Sequence, residues 1–149
     1  MKELSCGFIV INAKDSRQVL ACLPYGRSQN RPGNYDIPKG HREDGESTLD
    51  AAMRELREET GLVLDNEKIY DCGLFKYLPQ KDLYVYLVFV DLDIHTLYCD
   101  SKFENTQGKL VNEIVGYKWT DDVSLFYKSL QPIIETCIEH FNNGYYDLE

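Results

Sequence analysis

The chain has 149 residues, 43% hydrophobic and 28% charged, the proportions of an ordinary globular protein and enough for one domain over 1–149 with a real core. Its formal net charge of -9 argues against a general nucleic-acid coat, which offers phosphates a basic face. A phosphate-bearing substrate stays possible wherever a metal ion or local basic patch offsets the repulsion.

The opening MKELSCGFIVINAKDS has an apolar run too short for a signal peptide or membrane span. Cys6, Cys22, Cys72, Cys99 and Cys137 show no C-x-x-C spacing, so reduced, mostly structural thiols and a cytoplasmic location are expected. SCGFIVIN and QVLACL, separated by the turn-like AKDSR, predict two strands. PYGRSQNRPGNYD, rich in Gly, Pro and Asn, predicts a loop. A helix follows KGHREDGE, with Ser47 as N-cap and Gly61 as the C-terminal stop. KIYDCGLFKYL, DLYVYLVFVDLDI and EIVGYKWT are rich in β-branched and aromatic residues and predict strands. In DLYVYLVFV the aromatics Tyr84, Tyr86 and Phe89 are read as core and surface partners. Leu130, Ile133, Ile134, Cys137, Ile138 and Phe141 recur at three and four residues, the stripe of a terminal helix. This order predicts an α/β fold, a mixed sheet with helices on two faces.

The internal helix carries its charges awkwardly. At about 100° per residue, Leu49, Ala52, Met53 and Leu56 form a core stripe, and Glu55, Glu58 and Glu59 share a neighbouring arc. Like charges at these spacings repel, and Glu58 and Glu59 add to the negative end of the macrodipole. A solvated face with Arg54 and Arg57 as partners is one account. A hard cation, Mg²⁺ or Mn²⁺, held by the carboxylates is the other.

Read in full, Gly40, five residues, Glu46, seven residues, Arg54-Glu55-Leu56, one residue, Glu58-Glu59, one residue and Gly61-Leu62 match the Nudix box. The chain thus resembles the Nudix hydrolases. The resemblance implies an α/β/α sandwich with a mixed β-sheet, and Mg²⁺- or Mn²⁺-dependent hydrolysis of a diphosphate linkage in a nucleoside diphosphate joined to another moiety. It implies metal binding and catalysis at Glu55, Glu58 and Glu59, with the Lys39 backbone carbonyl as a further ligand. Glu46 and Arg54 would tie the first loop to the helix, and Gly40 and Gly61 would serve backbone geometry. Related enzymes often carry a downstream acid as ligand or general base. Glu113 is the candidate here, an ordinary loop glutamate being its alternative, while Asp121 and Asp122 suit a cap on the following turn.

For the substrate, IPKGHREDGES looks like the loop of dinucleoside polyphosphate hydrolases, with Lys39, His41 and Arg42 near the phosphate path. Tyr77 matches a downstream base-stacking Tyr, or else packs on the core. Pro79 stands slightly past the Pro that ADP-ribose hydrolases favour. Tyr25, Arg27 and Arg31 could contact base or phosphate. Diadenosine tri- or tetraphosphate is the expected substrate; ADP-ribose or FAD, an RNA 5′ end, and a non-catalytic nucleotide-binding module are the alternatives. The expected partner is a small nucleotide, with no membrane and no stable nucleic-acid complex; nothing in the sequence fixes an oligomeric state.

Overall fold

The computed structural model describes residues 2–146. Its strands are β1 (Glu3–Asn12), β2 (Asp15–Pro24), β3 (Lys39–His41), β4 (Ile69–Leu78), β5 (Lys81–Val90), β6 (Lys102–Glu104), β7 (Leu110–Asn112) and β8 (Ile114–Thr120), with helices α1 (Thr48–Thr60) and α2 (Gln131–Asn142). The main sheet runs β4-β5-β1-β2-β8, with β3 on β1. β1 and β5 are parallel and the other pairs antiparallel. The fold is the expected mixed α/β sandwich. Among the described residues no helix is long and apolar enough to cross a membrane.

Strand periodicity divides the core in two. Cys6, Phe8 and Val10 of β1, with Leu20 and Cys22 of β2, pack against Ala51, Ala52 and Leu56 of α1. Ile9, Ile11, Val19, Ala21 and Leu23 face the opposite way and meet Leu130, Ile133, Ile134 and Cys137 of α2. β1 is buried on both faces, so it reads as an unbroken apolar run. The five cysteines are free thiols, three buried and two half-buried.

Two features escaped the sequence. The hairpin β6–β7 stands apart from the main sheet, and its three-residue strands are too short for a periodic signal. β3 (Lys39–His41) lies inside IPKGHREDGES, the stretch that resembles a loop, just past the predicted loop PYGRSQNRPGNYD. β1 and β2 pair near their connecting turn, at Ile11–Val19 and Asn12–Asp15, and then diverge. Asp36–His41 fills the gap: Ser5, Cys6 and Gly7 pair with His41, Gly40 and Lys39, while Cys22 and Asp36 exchange both backbone hydrogen bonds at 2.8 Å. This wedge carries the start of the box into the middle of the sheet.

Gly7 makes the wedge possible. A Cβ there would lie 2.5 Å from the Lys39 Cβ and 2.8 Å from the Pro38 carbonyl. Gly7→Ala should therefore cost about 1–3 kcal/mol, as overpacking does. At Gly116 the same addition would meet Leu23 at an ordinary 3.6 Å, so Gly116→Ala should stay within ~0.5 kcal/mol of wild type. Urea denaturation of the two variants checks this pair; equal effects would remove the close approach as a constraint.

Candidate active site

α1 begins with the Ser47 side chain accepting the Asp50 backbone N–H at 3.0 Å. It ends with Gly61 at φ 80, whose N–H donates to the Arg57 carbonyl, a left-handed stop that Gly adopts at no steric cost. The last carbonyls, usually orphaned at a helix end, are taken from outside. Asp100 N–H donates to Glu58 O at 2.6 Å and Tyr98 N–H to Thr60 O at 3.2 Å. The Tyr117 hydroxyl donates to Glu59 O. The turn bearing Glu58 and Glu59 is therefore pinned on its backbone.

Its side chains are less comfortable. α1 buries Ala51, Ala52 and Leu56 together with Glu55 and Glu59, while Leu49 and Met53, expected in the core stripe, are only partly covered. The buried face is thus turned towards the carboxylates. Burial, reinforced by the charge on Glu58 and opposed by Arg54, pushes the Glu55 carboxyl up to about 7. Burial, with Asp36 and Glu55 adding, also raises Glu59 well above the usual carboxylate range.

Arg54 organises the near side. Its guanidinium holds both carboxylate oxygens of Glu46, at 2.7 and 3.0 Å, and donates to the His41 carbonyl at 2.9 Å. Its remaining nitrogen reaches Glu55 and Glu58, each at 3.3 Å. The fork thereby ties loop to helix, the role expected of the Glu46–Arg54 pair. Gly40 sits against Glu55 so closely that any Cβ would fall inside the carboxylate.

On the far side, Lys39 donates its backbone N–H to Glu59 Oε1 at 3.3 Å, and its ammonium pairs with Asp36 at 3.1 Å. Burial alone would lower the Lys39 pKa; the Asp36 carboxylate and its hydrogen bond more than reverse that, so the lysine is held charged. Lys39, Gly40, His41, Glu59, Arg27, Lys81 and Glu113 all line one cavity of ≈ 400 Å³. Glu113 is close enough for its charge to raise both Glu55 and Glu59. A larger cavity of ≈ 530 Å³ lies against α2 on the other face, floored by Val19, Phe126, Ile134 and Ile138. It is lined by Arg17, Asp121, Glu135 and Glu139 but by no residue of the Gly40–Leu62 motif, so the smaller cavity, which holds Gly40 and Glu59, is the candidate site.

Of the expected site residues, Glu59, Glu113, Lys39, Gly40, His41 and Arg27 come together on the cavity. Glu55 stands directly behind Gly40, and Glu58 lies beside it on Arg54. Arg42 is not brought in: its guanidinium donates to the Glu46 carbonyl at 2.9 Å and so serves the loop. Tyr77 is not on the cavity wall either. It packs on the α2-side core with the Lys39 ammonium 5.1 Å from its ring centre. Asp122 caps the turn after β8 as expected, accepting the Ser124 N–H at 3.0 Å. Asp36 and Lys81 escaped the sequence reading because nothing local marks a lone residue that the fold brings in.

The donor set suits a hard cation, since oxygen ligands from carboxylates are what Mg²⁺ and Mn²⁺ take. Among the described residues no three His, Cys, Asp or Glu side chains are already grouped to hold an ion, Glu55 and Glu58 being shared with Arg54 and Glu59 turned to Lys39. Mg²⁺ uses one or two carboxylates together with water and substrate phosphate, a demand the cluster meets.

A family model described as NUDIX domain matches residues 1–136. Nudix hydrolase 25 of Arabidopsis thaliana is 59% identical over 34 residues, 23% of this chain and 19% of that protein. The NUDIX domain of Shewanella oneidensis NrtR, solved with ADP ribose, superposes with a TM-score of 0.65 at 18% identity, covering 95% of this chain and 89% of that one. A C. elegans Ap4A hydrolase binary complex gives 0.60 at 16%, covering 94% and 96%. A MutT/nudix family protein from Enterococcus faecalis gives 0.58 at 21%, covering 80% and 43%. The chain thus spans less than half the length of that protein and about a fifth of the curated relative.

The Arg54 fork makes a pH prediction. Hydrogen bonds from Arg54, then from the Glu43 backbone, hold the Glu46 carboxyl down to about 2 from an ordinary 4.5. A depressed carboxyl stabilises the fold above its unfolded pKa and loses that increment as pH falls through the folded one. Glu46→Gln should therefore melt below wild type at pH 7, and the gap should close between pH 4.5 and about 2. Melting curves across that range read it; a gap unchanged with pH would mean the ion pair adds nothing measurable.

Proposed function

The chain belongs to the Nudix family, and on that premise we propose that it is a pyrophosphohydrolase, a single Nudix domain over 1–149 cleaving a diphosphate linkage between a nucleoside phosphate and another group. The observation that carries this reading is the pairing of opposites across one cavity. Glu59 and Glu113 face it with Glu55 close behind, and Lys39, Arg27 and Lys81 stand on the same walls. Such a cavity offers a diphosphate both cationic contacts and a carboxylate base.

Glu55, Glu58 and Glu59, with the Lys39 carbonyl, are the residues that would hold Mg²⁺ or Mn²⁺, which when bound offsets the phosphate charge and acidifies a water. Lys39, kept charged by Asp36, and Arg27 bind phosphate oxygens and fix the direction of attack. Glu113 accepts a proton at its carboxylate as water attacks phosphorus. No side chain becomes bonded to the substrate; placement and electrostatics supply the rate.

Dinucleoside polyphosphates are the proposed substrates, because the loop IPKGHREDGES, which resembles that subgroup, supplies Lys39 and His41 to the cavity. The test is a chromatographic product assay with Mg²⁺ and with Mn²⁺, over diadenosine tri- and tetraphosphate, ADP-ribose, FAD and a 5′-triphosphate RNA. The expected products are AMP with ADP or ATP, and Glu59→Gln should lose at least about a hundredfold in rate with an unchanged circular dichroism spectrum. AMP with ribose 5-phosphate as the fastest product would move the substrate to ADP-ribose. Nucleotide binding without any product would make the chain a non-catalytic module.

A further inference from the structure

The larger cavity, ≈ 530 Å³ between α2 and the end of β8, has a cause in the sheet. In β2 the residues on the α2 side are Val19, Ala21 and Leu23. The register sets Thr120, Lys118 and Gly116 of β8 opposite them, and residues paired across neighbouring strands share a face. β8 therefore turns no large apolar side chain towards α2. The core under that helix draws on β1, β2 and β5 but on no residue of β8, and a trough is left beside Thr120.

Its floor and its rim differ in kind. Val19, Phe126 and Ile134 on the floor are buried core residues, with Ile138 and Val123 beside them. Asp121, Glu135 and Glu139 on the rim are exposed. Arg17 is the one cation among the lining residues, and Asp15 already takes its guanidinium, Nε at 3.0 Å and Nη2 at 3.1 Å. Glu135 and Glu139 stand one turn apart on α2, where like charges repel. Glu139 also falls in the last turn, at the negative end of the macrodipole. Among the described residues no ion pair engages either glutamate.

We propose that this cavity is a second ligand site, one that takes a small organic cation: an apolar body on the floor and a protonated amine between Glu135 and Glu139. The size is that of a small-molecule site, and an apolar floor with a few polar groups at one side is its usual chemistry. Burial of the body supplies affinity, and the amine relieves the repulsion between the two carboxylates. A neutral ligand gains from the floor alone. An anion meets three carboxylates, so the site refuses the phosphates that Lys39, Arg27 and Lys81 line the other cavity for. The assignment is independent of the hydrolase reading, since no residue of Gly40–Leu62 lines this cavity.

Proton–nitrogen NMR titration of the whole chain at neutral pH with phenethylamine, phenethyl alcohol and hydrocinnamate tests it. The amine should bind with a Kd of about 1 mM and shift backbone amides in 120–123 and 134–143. It should bind about fivefold tighter than the alcohol, the increment of two exposed ion pairs, and the carboxylate weakest of the three. Glu135→Gln combined with Glu139→Gln should bring the amine down to the alcohol's affinity and leave the alcohol within about twofold of wild type; both positions are exposed, so the fold should hold. Shifts confined to Gly40, Glu59 and Glu113 would put the amine in the catalytic cavity and overturn the proposal. So would an amine bound no better than the alcohol, an advantage that survives the double substitution, or no shift in 134–143 at about 10 mM amine.

Discussion

Burying an ionised carboxylate costs several kcal/mol unless partners repay it, and α1 buries two, Glu55 and Glu59. Much of the surrounding structure can be understood as support for that arrangement. Arg54 reaches Glu55 with one nitrogen while Glu46 holds the other two. Glu59 receives the Lys39 N–H, and the lysine side chain is itself fixed on Asp36. Tyr98, Asp100 and Tyr117 take the carbonyls of the last turn, so the helix end cannot fray to relieve the crowding. What they do not supply is a full counter-charge: both carboxyls stay raised by burial and by each other. A site left electrostatically unfinished by its own protein suits a cation brought from outside.

That crowding is positioned by the sheet. β1 and β2 part beyond their turn, and the segment Asp36–His41 occupies the fork. Two glycines set how tightly it can do so. Gly7 lets Lys39 and Pro38 lie on β1, and Gly40 leaves room for the Glu55 carboxylate. The wedge delivers Asp36, Lys39, Gly40 and His41 to one cavity wall in a stretch of six residues. A loop lying on the surface could not hold a buried lysine and a backbone donor in fixed relation to Glu59; a loop hydrogen-bonded between strands can.

The sequence made α1 legible because its signals are local: Ser47 and Gly61 at the ends, an apolar stripe, and three glutamates whose spacing is unfavourable on a free helix. The strands of the core were equally plain, being runs such as CGFIVI and YVYLVFV. The rest of the cavity lining was not. Asp36, Lys81 and Phe103 come from three separate parts of the chain, and each is unremarkable among its sequence neighbours. β3 and the β6–β7 hairpin are three-residue strands defined by their partners. Arg42 and Tyr77 show the converse: both suit a phosphate or base by residue type, yet Glu46 and the α2-side core engage them. Residue type proposes a contact, and the competition for it is decided by what else lies within reach.

The acidity of the chain and the anionic substrate proposed for it are reconciled by distance. A net charge of -9 is felt by a ligand only within about 8 Å at physiological salt, so the local wall governs what the cavity accepts. There Lys39, Arg27 and Lys81 stand against Glu59 and Glu113. A compact diphosphate can lie within that patch. A polymer carrying phosphates beyond it gains no further contact from these three cations, and the net negative charge of the chain opposes it. On that argument the ligand proposed for the cavity is a small nucleotide and not a long nucleic acid.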